Sequence, residues 1–143
     1  INDREAAEGI IDHKEKLGSY HHSVYYIQEY INKPGRDIRV FVVGNKVVGA
    51  IYRNSKHWMT NKAGKFTIDK CEITDEIKKL ALQAKDAVGA DIVAIDMLEK
   101  DNKILVNEIN YTVEFTNFYP ALDKSIVTEI INLVEKRYEE VSS

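Results

Sequence analysis

Residues 92–110 read IVAIDMLEKDNKILVNEIN. Two apolar, β-branched runs, Ile92–Leu98 and Lys103–Ile109, flank the polar turn Glu99–Asn102, which reads as an antiparallel strand pair. Three oxygen-bearing side chains interrupt the apolar pattern. Asp96 lies inside the first strand; Glu108 and Asn110 lie two apart on the second and so share a face. An ionised carboxylate within a buried strand is costly unless a cation meets it. Register decides whether the three converge. A pairing centred on Asn102 sets Asp96 opposite Glu108, whereas a slip of one residue sets it opposite Asn107, on the other face. If they converge, two carboxylates and an amide oxygen make an all-oxygen site of the kind that hard cations such as Mg²⁺ prefer. If they do not, the acidic residues face solvent, as is common on antiparallel sheets.

Working outward, Ile38–Val43 and Lys46–Arg53 are two more strands, joined by Gly44-Asn45 with good hairpin chemistry. Phe66–Ile73 is a possible short strand, and Val24–Ile31, rich in Tyr, Ile and Val, predicts another. Asn32–Gly35 is a turn cluster, and Asn54–Lys65 is a polar loop. Asn2 with Glu5 resembles a capping box, opening a helix through Ala6, Ala7, Ile10, Ile11 and Leu17 that Gly18 can close. Thr74 or Asp75 can cap a second helix with Ile77, Leu80, Ala81, Ala84 and Val88 as its buried stripe, ended by Gly89. Ser125 can cap a third, buried through Ile126, Ile130, Leu133, Val134 and Tyr138. Tyr111–Pro120 is aromatic and polar without a period. Runs of strands interrupted by separate helices predict an α+β class with a mostly antiparallel sheet, a single domain over residues 1–143.

Composition narrows the function classes. The 143 residues are 44% hydrophobic, ordinary for one packed core. Lys and Arg number 20 against 23 Asp and Glu, a net charge of −3, without the basic excess of a nucleic-acid footprint. No apolar run approaches the roughly 20 residues that a bilayer-spanning helix needs. The lone Cys71 excludes an intramolecular disulfide and favours a reducing cytoplasm. The first residues show no basic region followed by an apolar stretch, so a helix is expected from the outset.

Lys33-Pro34-Gly35-Arg36-Asp37-Ile38-Arg39 carries three cations beside a turn. A solvated, charged turn explains most such clusters. Arg39, however, opens a strand between Ile38 and Val40 and needs an anion or solvent, and arginine suits bidentate carboxylate or phosphate binding. His13, His21, His22 and His57 lack metal-binding spacing and read as surface or packing residues, and Cys71 has no base nearby in sequence. No nucleophile-elbow, P-loop or dinucleotide glycine motif occurs.

The stretch from Tyr26 to Gly44, YIQEYINKPGRDIRVFVVG, resembles the ATP-grasp ligases, and within them the RimK-like branch, closest to its LysX type. Ala50–Arg53, His57–Asn61, Ala94–Asp96 and Asn107–Phe115 extend the resemblance, which runs from the first helix to about Phe115 and weakly beyond. It implies an ATP-grasp C-terminal portion that activates a carboxylate with ATP and Mg²⁺ to an acyl phosphate, which an amino group attacks to give an amide. In the LysX type, 2-aminoadipate is joined to the C-terminal glutamate of a small acidic carrier protein. The ArgX type uses glutamate, and RimK adds glutamate to a ribosomal protein. Residue by residue, the resemblance implies that Gln28, Glu29, Tyr30 and Ile31 line the adenine and ribose slot. Arg36, Asp37 and Arg39 fall in the nucleotide-binding stretch, Arg53 beside the phosphates and Asn61 in a phosphate and substrate loop. Asp96, Glu108 and Asn110 become metal ligands. Asn117 and Phe118 fall in the substrate-specificity segment, in a mixture of the LysX and ArgX patterns with 2-aminoadipate favoured. A cytoplasmic homo-oligomer is implied.

The chain departs from the family pattern at Asn61–Lys65, which lacks an Arg-Gly-Gly and is two residues short; Lys65 is a candidate substitute. The family's Gly-rich phosphate loop and two upstream lysines would precede Ile1, so the chain alone is expected to bind ATP weakly or not at all. Two readings of different class follow: a catalytic ligase, or a non-catalytic nucleotide-binding remnant.

Overall fold

A computed structural model describes residues 3–16, 24–57, 60, 66–122 and 126–142. The chain forms two compact units, Ile1–Tyr30 and Ile31–Ser143. In the first, helix α1 spans Arg4–Lys16. Its capping bond comes from Asp3, whose Oδ1 accepts the Ala6 N–H at 2.8 Å; Asn2 and Gly18, expected at its ends, lie outside the described residues. The strand expected over Val24–Ile31 does not form: the backbone there is irregular, and Val24–Tyr30 is exposed. Its aromatic and β-branched residues favour extended backbone, but that preference makes a strand only where a partner pairs with it.

The second unit is a five-stranded antiparallel sheet with strands β1 Arg36–Val43, β2 Lys46–Asn54, β3 Thr67–Lys70, β4 Ile92–Lys100 and β5 Lys103–Asn110, in the order β3-β2-β1-β4-β5. Helix α2 spans Asp75–Ala87, a 3₁₀ turn spans Thr116–Ala121 and helix α3 spans Ile126–Ser142. The expected α+β class with an antiparallel sheet is what is found. None of the described helices is long and apolar enough to cross a membrane.

Alternation along β1 divides the core in two. Ile38, Val40 and Val42 face α2, where they pack with Ile77, Ala81, Ile95 and Met97. Phe41 and Val43 face the other way, packing with Ile51, Ala94, Phe118 and Ile126 beneath the 3₁₀ turn and α3. Thr74 caps α2 by accepting the Ile77 N–H at 3.2 Å, and Gly89 supplies the positive φ, 64°, just past its end.

The expected helix stripes need correcting at their ends. Val88 is the C-cap of α2 and is exposed, while Lys85 is buried and bonded to Asn45. In α3, Ile126, Ile130 and Leu133 meet the core. Val134 and Tyr138 are 59% and 74% exposed, lying round the helix from that contact line. The Ser125 cap lies outside the described residues.

Candidate active site

The first requirement is register, and a β-bulge sets it. Closing from the turn, Lys100 pairs with Lys103 and Met97 with Val106, and continuing that ladder would set Asp96 opposite Asn107. The register shifts between Asp96 and Met97, leaving Asn107 as the extra residue and setting Asp96 opposite Glu108. Ala94 then pairs with Asn110. Asp96, Glu108 and Asn110 therefore share one face, as the converging register required. The turn itself carries positive φ at Asp101 and Asn102, 50° and 60°, the backbone of a two-residue hairpin loop.

Strand β1 brings cations to that face. Arg39 pairs with Asp96 in the β1–β4 ladder and meets it bidentately, Nε to Oδ1 at 2.8 Å and Nη2 to Oδ2 at 3.0 Å. Arg53 of β2 adds a third contact, Nη2 to Asp96 Oδ2 at 3.0 Å, and its Nε donates to Asp37 Oδ1 at 2.6 Å. The Thr60 hydroxyl donates to Asp37 Oδ2, and Lys33 Nζ donates to Thr60 Oγ1 at 2.7 Å. Asp37, Arg53, Thr60 and Asp96 are all buried. Burial works against the Arg53 guanidinium, but Asp37 and Asp96 outweigh it and raise its pKa above the ordinary arginine value. Burial lowers the pKa of the Lys33 ammonium against the attraction of Asp37.

The Arg39 guanidinium also lies 5.8 Å from the centre of the Phe118 ring, which in turn lies 5.8 Å from the ring of Phe41. Phe118 is thus buried floor beneath Arg39. Asn117 is exposed, and its Nδ2 donates to Glu114 Oε1 at 2.7 Å. Arg36 lies on the opposite face. It stacks on Tyr52, 3.9 Å from the ring centre, and holds Glu99 bidentately at 2.6 and 2.8 Å. Of the residues assigned to the nucleotide stretch, the fold therefore joins Asp37, Arg39 and Arg53 and sets Arg36 apart. Gln28, Glu29 and Tyr30 belong to the first unit and Ile31 opens the second. Asn61 and Lys65 lie outside the described residues.

The donor set suits a hard cation. Among the described residues no three His, Cys, Asp or Glu side chains cluster as metal ligands, so a third ligand would have to be the Asn110 amide. That amide holds a buried Nδ2 with no partner. A half-turn exchanges this orphan donor for an oxygen acceptor, which a cation satisfies. Glu108 is exposed and free to move toward such an ion. A groove of about 520 Å³ along Val47–Ala50 and Lys70–Ile73 contains none of these residues. Sequence reading missed Lys33 and Thr60 as members of the cluster. Lys33 stands in a charged turn and Thr60 in a polar loop, and neither interrupts an apolar run.

The family model of the RimK-like ATP-grasp domain matches residues 2–134. The tetrahydromethanopterin:alpha-L-glutamate ligase of Methanococcus maripaludis is 48% identical over 92 residues, covering 62% of this chain and 32% of its own. The alpha-aminoadipate–LysW ligase LysX of Saccharolobus solfataricus is 39% identical over 109 residues, covering 75% and 40%. The glutamate–LysW ligase ArgX of Sulfolobus acidocaldarius is 34% identical over 140 residues, covering 94% and 50%. The chain thus spans between a third and a half of the length of these relatives. Among solved structures, the ATP-grasp ligase PsnB, complexed with a phosphomimetic variant of its minimal precursor, Mg and ADP, superposes with a TM-score of 0.62. It is 22% identical, covering 78% of this chain and 34% of that one, a likeness of fold.

Proposed function

Because the chain belongs to the RimK-like ATP-grasp family, we propose that it forms the phosphate- and metal-holding part of an ATP- and Mg²⁺-dependent ligase. That ligase joins a carboxylate to the amino group of an acidic amino acid. The observation that carries this reading is the Arg39–Asp96–Arg53 cluster, built on the buried Asp96 and Arg53, on the face shared with Glu108 and Asn110. Asp96, Glu108 and Asn110 would hold Mg²⁺. When bound, Mg²⁺ and ATP supply phosphoryl transfer to the substrate carboxylate.

Such transfer depends on positioning and charge neutralisation more than on covalent chemistry from the protein. Arg39 and Arg53 present planar donors held by carboxylates, so their orientation is set before any anion arrives. They neutralise phosphate charge and orient the reacting carboxylate. Gln28, Glu29, Tyr30 and Ile31 hold adenine and ribose, and Asn61 serves the phosphate and substrate loop; family resemblance supports these roles. Arg36 ties the start of β1 to β4 through Glu99. Asn117 borders the amino-acid pocket, and Phe118 supports it from beneath Arg39.

For the amino acid, 2-aminoadipate is the first reading, with a small acidic carrier protein as acceptor. The name of the LysX relative and Asn117 in the specificity segment support it. Glutamate is the second, favoured by two relatives named for it, one of them 48% identical. The two substrates differ by one methylene, worth roughly 1–3 kcal/mol in a pocket, so the disfavoured one should still be used slowly. Competing both in one assay of the full-length protein with MgATP and the carrier, and weighing the product, decides between them. Product carrying mainly 2-aminoadipate supports the first reading. Product carrying glutamate alone reverses it, and no ATP-dependent product with either rejects the carrier protein as acceptor.

A further inference from the structure

Beyond the charges that face a phosphate, a chain of contacts runs behind Arg53. Lys33 Nζ donates both to the Arg36 carbonyl oxygen at 3.2 Å and to Thr60 Oγ1 at 2.7 Å. The Thr60 hydroxyl donates onward to Asp37 Oδ2, and the other Asp37 oxygen receives Arg53 Nε. One hydroxyl thus joins the turn before β1 to the loop after β2. Arg53 grips Asp37 by a single nitrogen, so that bond alone leaves the carboxylate free to turn about its own axis. Asp96 already holds the Nη2 end of the guanidinium at 3.0 Å. Fixing the second Asp37 oxygen removes the remaining freedom at the Nε end, so that the plane is set at both ends. Thr60 is 3% exposed, so water does not compete for the hydroxyl.

We infer that Thr60, backed by Lys33, is a positioning residue that sets the orientation of Arg53 through Asp37. The inference rests on the ligase reading for its catalytic consequence but not for its geometry. Thr60→Val keeps the shape and removes both hydrogen bonds; Thr60→Ser keeps the hydroxyl. In the full-length protein, Thr60→Val should lower kcat between ~10- and ~100-fold, the scale of small misplacements of a catalytic group, with the KM for ATP unchanged. Thr60→Ser should restore it. In an Arg53→Lys background, which already lacks the planar fork, Thr60→Val should cost nothing further. Losses that multiply in the two backgrounds would overturn the proposal.

A second readout needs no turnover. In ¹⁵N-labelled protein the Arg53 Nε–H should exchange slowly with water in the wild type and in Thr60→Ser, and fast in Thr60→Val. If the wild type makes no ligation product, the ligase reading fails while this exchange still decides the positioning role. An Nε–H as slow in Thr60→Val as in the wild type rejects it.

Discussion

Arg39 and Asp96 stand 57 residues apart, and each is a charge set between apolar neighbours, Ile38 and Val40 for the one and Ile95 and Met97 for the other. Each answers the other. Asp96 carries two arginines and is 2% exposed, whereas Glu108 across the ladder is exposed. Two carboxylates of one candidate metal site should therefore respond differently to loss of charge. Asp96→Asn leaves two arginines without their shared anion and should cost roughly 3–5 kcal/mol of stability. Glu108→Gln should stay within about 0.5 kcal/mol of the wild type yet abolish Mg²⁺-dependent turnover. Urea midpoints at constant m-value give the first quantity; equal midpoint shifts in the two variants would remove the distinction. On the opposite face, a hydrogen bond with the Cys71 thiol, and burial after it, raise the Tyr52 pKa from 10.0 to about 12. The unfolded chain then loses this proton first. The stability contributed is fully present below pH 10 and is lost as pH rises toward about 12. Tyr52→Phe should flatten that alkaline limb of thermal midpoint against pH, and an unchanged limb would assign it to other groups.

At the scale of elements, the hairpins follow from local chemistry. Gly44-Asn45 turns where expected, whereas the turn expected over Glu99–Asn102 narrows to Asp101-Asn102, because Glu99 and Lys100 pair with Ile104 and Lys103 and extend the strand. Asn102 sits at φ 60°, so Asn102→Val should cost roughly 1–2 kcal/mol and Asn102→Gly nothing, as read by chemical denaturation. A Val variant as stable as the Gly variant would mean that the turn had changed type. The register was legible only as a choice between two ladders. The structure uses both, one on each side of the Asn107 bulge, and a single extra residue has no signature in composition or periodicity. Pairing of β1 with β4 was not legible either, because Arg39 and Asp96 each signal a missing partner without saying which. Thr60 is invisible from sequence for a different reason: its role exists only once two loops meet. The misjudged ends of α2 and α3 show the same limit, since Val88 and Tyr138 keep helical spacing but lie where nothing packs on them.

For the second unit as a whole, the sheet acts as a wall between two chemistries. The face under α2 is built on an apolar cluster, with the Arg36–Glu99 and Asn54–Asp69 pairs toward its edge and Lys85 of α2 against it, while the other face passes from apolar at Phe41 and Ile51 to charged at Asp37, Arg39, Arg53 and Asp96. There, counting Lys33, three cations meet the carboxylates of Asp37, Asp96 and Glu108, a local balance of 3 − 3 = 0 within a chain of net charge −3, with the arginines fixed by the two buried carboxylates. Any attraction for a polyphosphate is therefore local, screened beyond about 8 Å at physiological salt, and independent of the global charge. Two contributions to ATP binding should then separate. The arginines act without metal, while Glu108 and Asn110 act only through it. In the full-length protein, EDTA should abolish turnover and weaken ATP binding measured by calorimetry without eliminating it. Arg39→Ala should weaken binding with and without Mg²⁺. Arg39→Lys should recover only part of it, because the bidentate fork is lost. Glu108→Gln should weaken binding only when Mg²⁺ is present. ATP affinity that ignores EDTA would take Glu108 and Asn110 out of the site, and affinity that ignores Arg39→Ala would reduce that arginine to the partner of Asp96 alone.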